Sequence, residues 1–433
     1  MNEASGKFPV ALGSEGAGVL AGDGEQRGTG FRIPGSYTAL RRMFEVADGS
    51  NFADLYYGTF DGLNQNRASL NGREVLNFCS YDYLGMCGDP AIAAAATSAI
   101  ETYGTSVSAS RLGSGERPIH RELETALARW TGTEDAIVFV SGYSTNVDVI
   151  GHLMGPDDYI VYDSLIHASV RQGVKLSGAT ARPFPHGDLD GLEKVLQRKR
   201  SGSRQTLIVV EGIYSMDGDI ADLLRLIEIK RKYDALLMVD EAHSMGVLGT
   251  TGRGVAEYHN VAAADVDLWM GTLSKAFASC GGYIAGNREL VTYLRHTAPG
   301  FVYSVGLAPS LAAVALKSLQ MLEAQPERVD RLRQRTRFFH QVALERGLDV
   351  GVASPDAAIV PIMTGPEPTR AGLLSRYLLE RNVLALPIGF PAVARNRARL
   401  RFFLSNRHTE DEIRQAVDVV AQGLAEIPVR SED

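Results

Sequence analysis

The stretch GTLSKAFASCGG, Gly271–Gly282, sets one lysine, Lys275, among small and hydroxylated residues. A surface lysine needs no such company, whereas a lysine that bonds a ligand needs space beside its amine. Upstream, ALLMVDEAHSMG closes an apolar run with Asp240, Glu241 and His243. Burying a carboxylate there is costly unless it is paired. Taken alone, an aspartate after a strand is more often a cap or turn former. An acid at one strand end and an amine at its neighbour together point to pyridoxal phosphate. The amine forms an imine with the aldehyde, and the acid keeps the pyridine nitrogen protonated so that the ring takes up electrons. Thr272 and Ser274 offer hydroxyls to the phosphate.

Three further segments fit the same site. VSGYSTN (140–146) follows a strand and opens a helix, so backbone N–H groups near Gly142 and Tyr143 are placed to cradle phosphate. DSLIHAS (163–169) puts His167 just past a strand, where its ring is placed to stack on the pyridine; by itself it reads more simply as a structural histidine. EGIYSMDGD (211–219) offers Ser215 after another strand.

These segments need a frame. Apolar runs at 136–140, 159–163, 206–212, 235–241, 267–271 and 282–286 are separated by helical stretches such as HRELETALARW and LLRLIEIKRKY. Short apolar strands alternating with helices predict an α/β fold with a largely parallel sheet covered on both faces, and its ligand site at the strands' carboxyl ends. After residue 305 the texture changes. A long helical region over 309–346 leads to AAIVPIM, VLALPI and RLRFFLS, with helices near 369–381 and 409–425. The expected division is a flexible arm at 1–35, a segment at 36–89 that joins a small α+β domain, a large domain at 90–305 and the small domain at 306–433. A short amphipathic helix is expected over Tyr37–Tyr57.

A chain of 433 residues with 45% hydrophobic composition can bury a large core. Its net charge of −7 carries no basic field for nucleic acid or an anionic membrane. No apolar run is long enough for a membrane span, and no secretion signal is read at the N-terminus. The three cysteines, Cys79, Cys87 and Cys280, show neither metal-ligand nor disulfide spacing. A reduced, cytoplasmic enzyme without a metal is expected. Arginines gather between Arg328 and Arg346, a pattern that ordinarily marks a solvated helix face.

From about Leu76 to Thr409 the chain resembles the α-oxoamine synthases, pyridoxal-phosphate enzymes of fold type I. The motifs are YDYLGM, SRLGSGERPIHRELE, SGYSTN, DSLIHAS, EGIYSMDGD, VDEAHSMGVLGTTGRG and GTLSKAFASCGGY. The resemblance implies a seven-stranded, mostly parallel sheet and a homodimer with shared active sites. It implies that Lys275 is the imine-forming lysine, that Asp240 pairs with the pyridinium and that His167 stacks on the ring. His243 and Ser215 would approach the ring's phenolic oxygen. Gly142, Tyr143, Thr272 and Ser274 would surround the phosphate, and Ser304 in FVYSVGLAPS would reach the neighbouring subunit's phosphate. Arg401 in RLRFFLS would grip the amino acid carboxylate in bidentate fashion. The reaction implied is a decarboxylating Claisen-type condensation of an amino acid with an acyl thioester, giving an α-amino ketone, CO2 and free thiol. Lys275 would remove the α-proton, and His167 would hold the carboxylate until deprotonation is complete.

Within that family the style is nearest to serine palmitoyltransferase. Tyr81 stands where other members carry asparagine, and DEAHSMG and EGIYSMDGDIA match the serine palmitoyltransferase form. Ser110 and Arg111 sit where the family discriminates amino acid side chains. Serine is therefore the first expected amino donor and alanine the second. Two departures, SVSASRLGSG with few glycines and Gly306 in place of serine, leave room for a natural-product synthase. That enzyme would use alanine, glycine or a larger amino acid and an acyl group on a carrier protein, which the arginine run would greet. An aminotransferase or lyase of the same fold is a further alternative. A non-catalytic partner subunit is disfavoured, because Lys275, Asp240 and His243 are all present.

Overall fold

The computed structural model describes residues 52, 55–198, 202–390, 392–394 and 396–428. The expected arm lies outside the described residues, and so does nearly all of the expected Tyr37–Tyr57 helix.

The central feature is a seven-stranded sheet in the spatial order Asp135–Phe139, Gly282–Gly286, Leu268–Thr272, Leu236–Asp240, Thr206–Glu211, Tyr159–Asp163 and Thr180–Phe184. All neighbours pair in parallel except Gly282–Gly286, which runs antiparallel to both strands beside it. Alternate residues feed opposite sides of the sheet. Ile137, Ile160, Leu207, Val209 and Met238 enter one core, while Val138, Val161, Ile208, Val210 and Val239 enter the other. This period of two with both faces covered explains why the strands read as unbroken apolar runs.

The reversed strand follows from the lysine segment itself. Leu268–Thr272 is joined to Gly282–Gly286 by a short loop with no crossover helix, so the chain must turn back antiparallel. The edge strand Thr180–Phe184 was not expected. Its sequence, TARPF, carries an arginine and a proline and lies mostly exposed, as edge strands tolerate.

The helical region predicted over 309–346 is two helices, Pro309–Ala324 and Glu327–Glu345. Pro326 separates them, because its ring cannot continue the first helix. Beyond them, Ile359–Gly365, Ala398–Phe403 and Leu386–Ile388 form a three-stranded antiparallel sheet. VLALPI is divided between two sheets. Its first half, Val383–Leu384, pairs in parallel with Leu76 and Asn77 of the N-terminal strand Arg73–Asn77, and its second half pairs with Ala398–Phe403. Helices Pro368–Glu380 and Glu410–Glu426 match the expected positions. No helix among the described residues is long and apolar enough to cross a membrane.

Candidate active site

The carboxyl ends of the strands open on a cavity of about 230 Å³. Lys275, Asp240, His243, His167, Thr272, Ser274, Gly142 and Tyr143 all line it. The loop that carries Lys275 is closed on itself, since Leu273 N–H donates to Gly281 O (2.9 Å) and Ser279 N–H donates to Leu273 O (2.9 Å). No carboxylate lies within ion-pair distance of the Lys275 amine among the described residues, and its Nζ stands 5.8 Å from the centre of the Tyr81 ring. Burial lowers its pKa and the charge of Arg401 adds to that, while Asp240 and Glu211 oppose it. A less strongly held proton suits an amine that must accept and release one.

Asp240 is buried at the end of its strand. One oxygen accepts from Asn146 Nδ2 at 2.8 Å and the other from Ala242 N–H at 2.9 Å. Asn146 also donates to Ser169 Oγ (3.0 Å), which meets His167 Nδ1 at 2.7 Å. The predicted acid and the predicted ring-stacking histidine are thus joined by two residues that sequence reasoning did not name. Asn146 Oδ1 is buried with no hydrogen-bond partner among the described residues, and such atoms are uncommon unless a ligand or water completes them.

Glu211 was also missed. It is buried, lines the cavity and accepts from the backbone N–H of His167 (2.6 Å) and of Ser215 (3.3 Å). Burial and then the Asp240 charge push its carboxyl well above the usual range. The signals were present, since Asn146 ends SGYSTN and Glu211 begins EGIYSMDGD. Asn146 stands four residues after Gly142, hence on the same helix face.

His243 Nδ1 lies 2.8 Å from the Tyr83 hydroxyl, and its ring is parallel to Phe403. Burial, followed by the charges of Lys275, Arg401 and His167, holds its pKa well below the usual imidazole range, so the ring is neutral near pH 7. His167 is lowered as well, by burial and then by Lys275, Arg171 and Arg401, against the pull of Asp240.

The phosphate-cradle expectation can be set against the geometry. Helix Gly142–Leu153 starts at the cavity with Ser141 as its N-cap. Thr272 Oγ1 lies 2.8 Å from Ser274 Oγ. A Cβ on Gly142 would stand 2.7 Å from Thr272 Oγ1, and one on Gly282 would stand 2.6 Å from Gly142 Cα. Glycine at both positions lets the helix start, the reversed strand and the hydroxyl pair converge. Unpaired N–H groups at a helix start beside two hydroxyls form an anion site.

The remaining predicted residues are not among those that line this cavity. Ser215 is buried, and its carbonyl accepts from Arg401 Nη1 at 2.8 Å. The Arg401 guanidinium lies 4.6 Å from the centre of the Phe403 ring and has no carboxylate partner among the described residues. The exposed ring of Tyr81 packs edge-on to Phe403, with 4.9 Å between centres. Ser110 caps the turn that follows it by accepting from Gly113 N–H at 3.4 Å. Ser304 donates to Val305 O at 3.2 Å. Neither serine reaches this chain's own cavity.

Comparison with known proteins places this arrangement. Residues 73–420 match the family Aminotransferase class I and II. An 8-amino-7-oxononanoate synthase from Geobacter sulfurreducens is 41% identical, with 84% of this chain and 92% of that protein covered. One from Symbiobacterium thermophilum is 39% identical over 88% of this chain and 96% of its own length. Among solved structures, Sphingomonas wittichii serine palmitoyltransferase superposes with a TM-score of 0.84 at 32% identity, covering 91% of this chain and 97% of that one. The chain therefore belongs to the aminotransferase class I and II family and, within it, to the α-oxoamine synthases.

Proposed function

We propose that the chain condenses a small L-amino acid with an acyl thioester, with loss of CO2, using pyridoxal phosphate held in the cavity around Lys275. The observation that carries this reading is an amine with no carboxylate partner among the described residues, in one cavity with a buried aspartate and a helix start lined with hydroxyls. The residues fit the cofactor. Lys275 would bond its aldehyde carbon, Asp240 its ring nitrogen, and the Gly142 helix start with Thr272 and Ser274 its phosphate. His167 would cover its ring, while Ser215 and neutral His243 would approach its phenolic oxygen. The unpartnered Asn146 Oδ1 marks a polar position that such a ligand can complete. Bound pyridoxal phosphate supplies a carbonyl for the amino acid and a ring that stabilises negative charge at the α-carbon.

The chain's own residues do the rest. Asn146 and the Ala242 N–H hold the Asp240 carboxylate in place. Arg401, with no carboxylate partner among the described residues, would take the carboxylate of the amino acid. Lys275 moves the proton at the α-carbon. His167, fixed through Ser169, holds the substrate carboxylate in position until that proton has gone. Serine is the first amino donor under this reading and alanine the second. The support for serine is the Tyr81 segment, which packs beside Lys275 and Phe403, together with the likeness to serine palmitoyltransferase. The greater sequence identity to 8-amino-7-oxononanoate synthases makes alanine the necessary comparison.

A second copy of the chain would complete the site. Leu112, Tyr303 and Val305 are exposed at 55%, 86% and 51% on two segments joined by the Gly306 N–H to Ala109 O bond (3.1 Å). This apolar surface beside Ser110 and Ser304 supports a homodimer in which both serines serve the partner's cavity.

The test is absorbance titration of the purified protein with L-serine, L-alanine and glycine, followed by CO2 release with acyl-CoA. A saturable shift with serine and CO2 that depends on thioester are expected. Response to alanine alone would move the chain to a different substrate. CO2 release or amine transfer without thioester would replace condensation with lyase or aminotransferase chemistry.

A further inference from the structure

A second, larger cavity of about 610 Å³ lies beside Leu84 and Gly85, whose carbonyls two of its arginines contact. Arg328, Arg331, Arg335 and Arg407 line it, with Asn66 and Glu327. The first three are spaced i, i+3 and i+7 on helix Glu327–Glu345, so they share one face. Like charges at that spacing destabilise a helix, and Arg328 lies in the first turn, where the helix dipole disfavours a cation. An arrangement unfavourable in the free chain becomes favourable once an anion occupies the cavity.

Neighbouring arginines on and just after the same helix behave differently. Arg333 pairs with Asp330, Arg337 with Asp356 and Arg346 with Asp418. These three arginines therefore have acidic neighbours within the chain. Around the cavity the compensation is incomplete. Arg331 makes no hydrogen bond or ion pair among the described residues. Arg335 reaches Glu410 at 2.9 Å, but its Nε is buried without a partner. Arg328 donates to Leu84 O at 3.0 Å and Arg407 to Gly85 O at 2.8 Å. Carbonyls fix these guanidinium groups without neutralising them. Arg328 also makes a long ion pair with Asp89 at 3.5 Å.

We infer that this cavity binds a phosphate-bearing small molecule, with a pyrophosphate-like group spanning Arg331 and Arg335. Planar guanidinium groups at several angles suit phosphate oxygens, and the volume suits a nucleotide-sized ligand. The inference stands on the cavity alone and does not depend on the reaction at Lys275. Two sources share this chemistry: the phosphate end of a coenzyme A thioester, and a free nucleotide or pyrophosphate.

The test is calorimetric titration of the full-length holoenzyme with inorganic pyrophosphate and, separately, with a non-reactive coenzyme A analogue. Binding of pyrophosphate at millimolar concentration or below is expected. Arg331→Ala, which removes no internal bond, should weaken it about tenfold, and Lys275→Ala should leave it unchanged. Competition between pyrophosphate and the coenzyme A analogue would identify the thioester donor as the source; independent binding would identify a separate ligand. Absence of binding at millimolar pyrophosphate, or an affinity that Arg331→Ala does not alter, would overturn the inference.

Discussion

Two regions of this molecule bury charge in opposite ways. Around Glu124 every charge is answered. Its carboxylate takes Arg111 at 2.6 Å, Arg121 at 2.6 Å and Arg295 at 3.0 Å, and accepts from Val138 N–H at 3.0 Å. Arg111 is further paired with Glu116 and lies over the Phe301 ring. Around Lys275 the charges are left open. Among the described residues Lys275 and Arg401 lack carboxylate partners, while burial holds His243 neutral and raises the Glu211 carboxyl. The first region fixes the fold, tying the segment after Ser110 to the strand Asp135–Phe139. The second leaves unanswered the charges that a cofactor and an amino acid would answer.

Substitutions can break this contrast, beginning with the largest effect. Lys275→Ala should reduce turnover by about 10⁴-fold and abolish the visible absorbance of lysine-bound cofactor, with little change in the urea midpoint. Glu124→Ala should do the reverse. It strands buried arginines and should cost about 3–5 kcal/mol of stability by urea unfolding, while any surviving folded protein keeps its cofactor absorbance. Loss of absorbance without loss of stability in Glu124→Ala would erase the distinction.

His186 gives the compensated case a pH signature. Burial opposes its charge, but hydrogen bonds to Asp163 (3.0 Å) and Asp219 (3.1 Å) outweigh that and push its pKa up to about 10. The folded value is raised, so the stabilisation is complete below the unfolded pKa and is lost as pH climbs through the folded one. Unfolding free energy should fall by about 2–3 kcal/mol between roughly pH 6.5 and 10, and His186→Gln should flatten that slope. On the uncompensated side, Arg401→Lys keeps the charge but loses the fork. It should raise KM for the amino acid about tenfold, with a smaller change in kcat and none in the urea midpoint.

Much of this was legible in the sequence, because strands buried on both faces are written as continuous apolar runs and site residues follow directly at their ends. Lys275, Asp240, His167, His243, Thr272, Ser274, Gly142 and Tyr143 were placed in one cavity by that logic. The antiparallel turn of Gly282–Gly286 was not read, although the nine residues between Thr272 and Gly282 leave no room for a crossover helix. Asn146 and Glu211 escaped because their contacts run to residues far along the chain, Asp240 and His167. Thr180–Phe184 escaped because an edge strand needs little apolar character. The break at Pro326 was written plainly, but the helical pattern on both sides concealed it.

The division of VLALPI between two sheets has a mechanical meaning. Buried Ala385 is the single residue between a strand paired to Leu76 and Asn77 and a strand whose Leu386 stands opposite Arg401. Phe403 N–H also donates to Phe78 O at 2.8 Å, a few residues before Tyr81 and Tyr83. Arg401 and the tyrosines beside Lys275 and His243 therefore hang on a common lever with almost no slack. If Arg401 takes the substrate carboxylate as proposed, any shift of that arginine would be passed directly to the tyrosines.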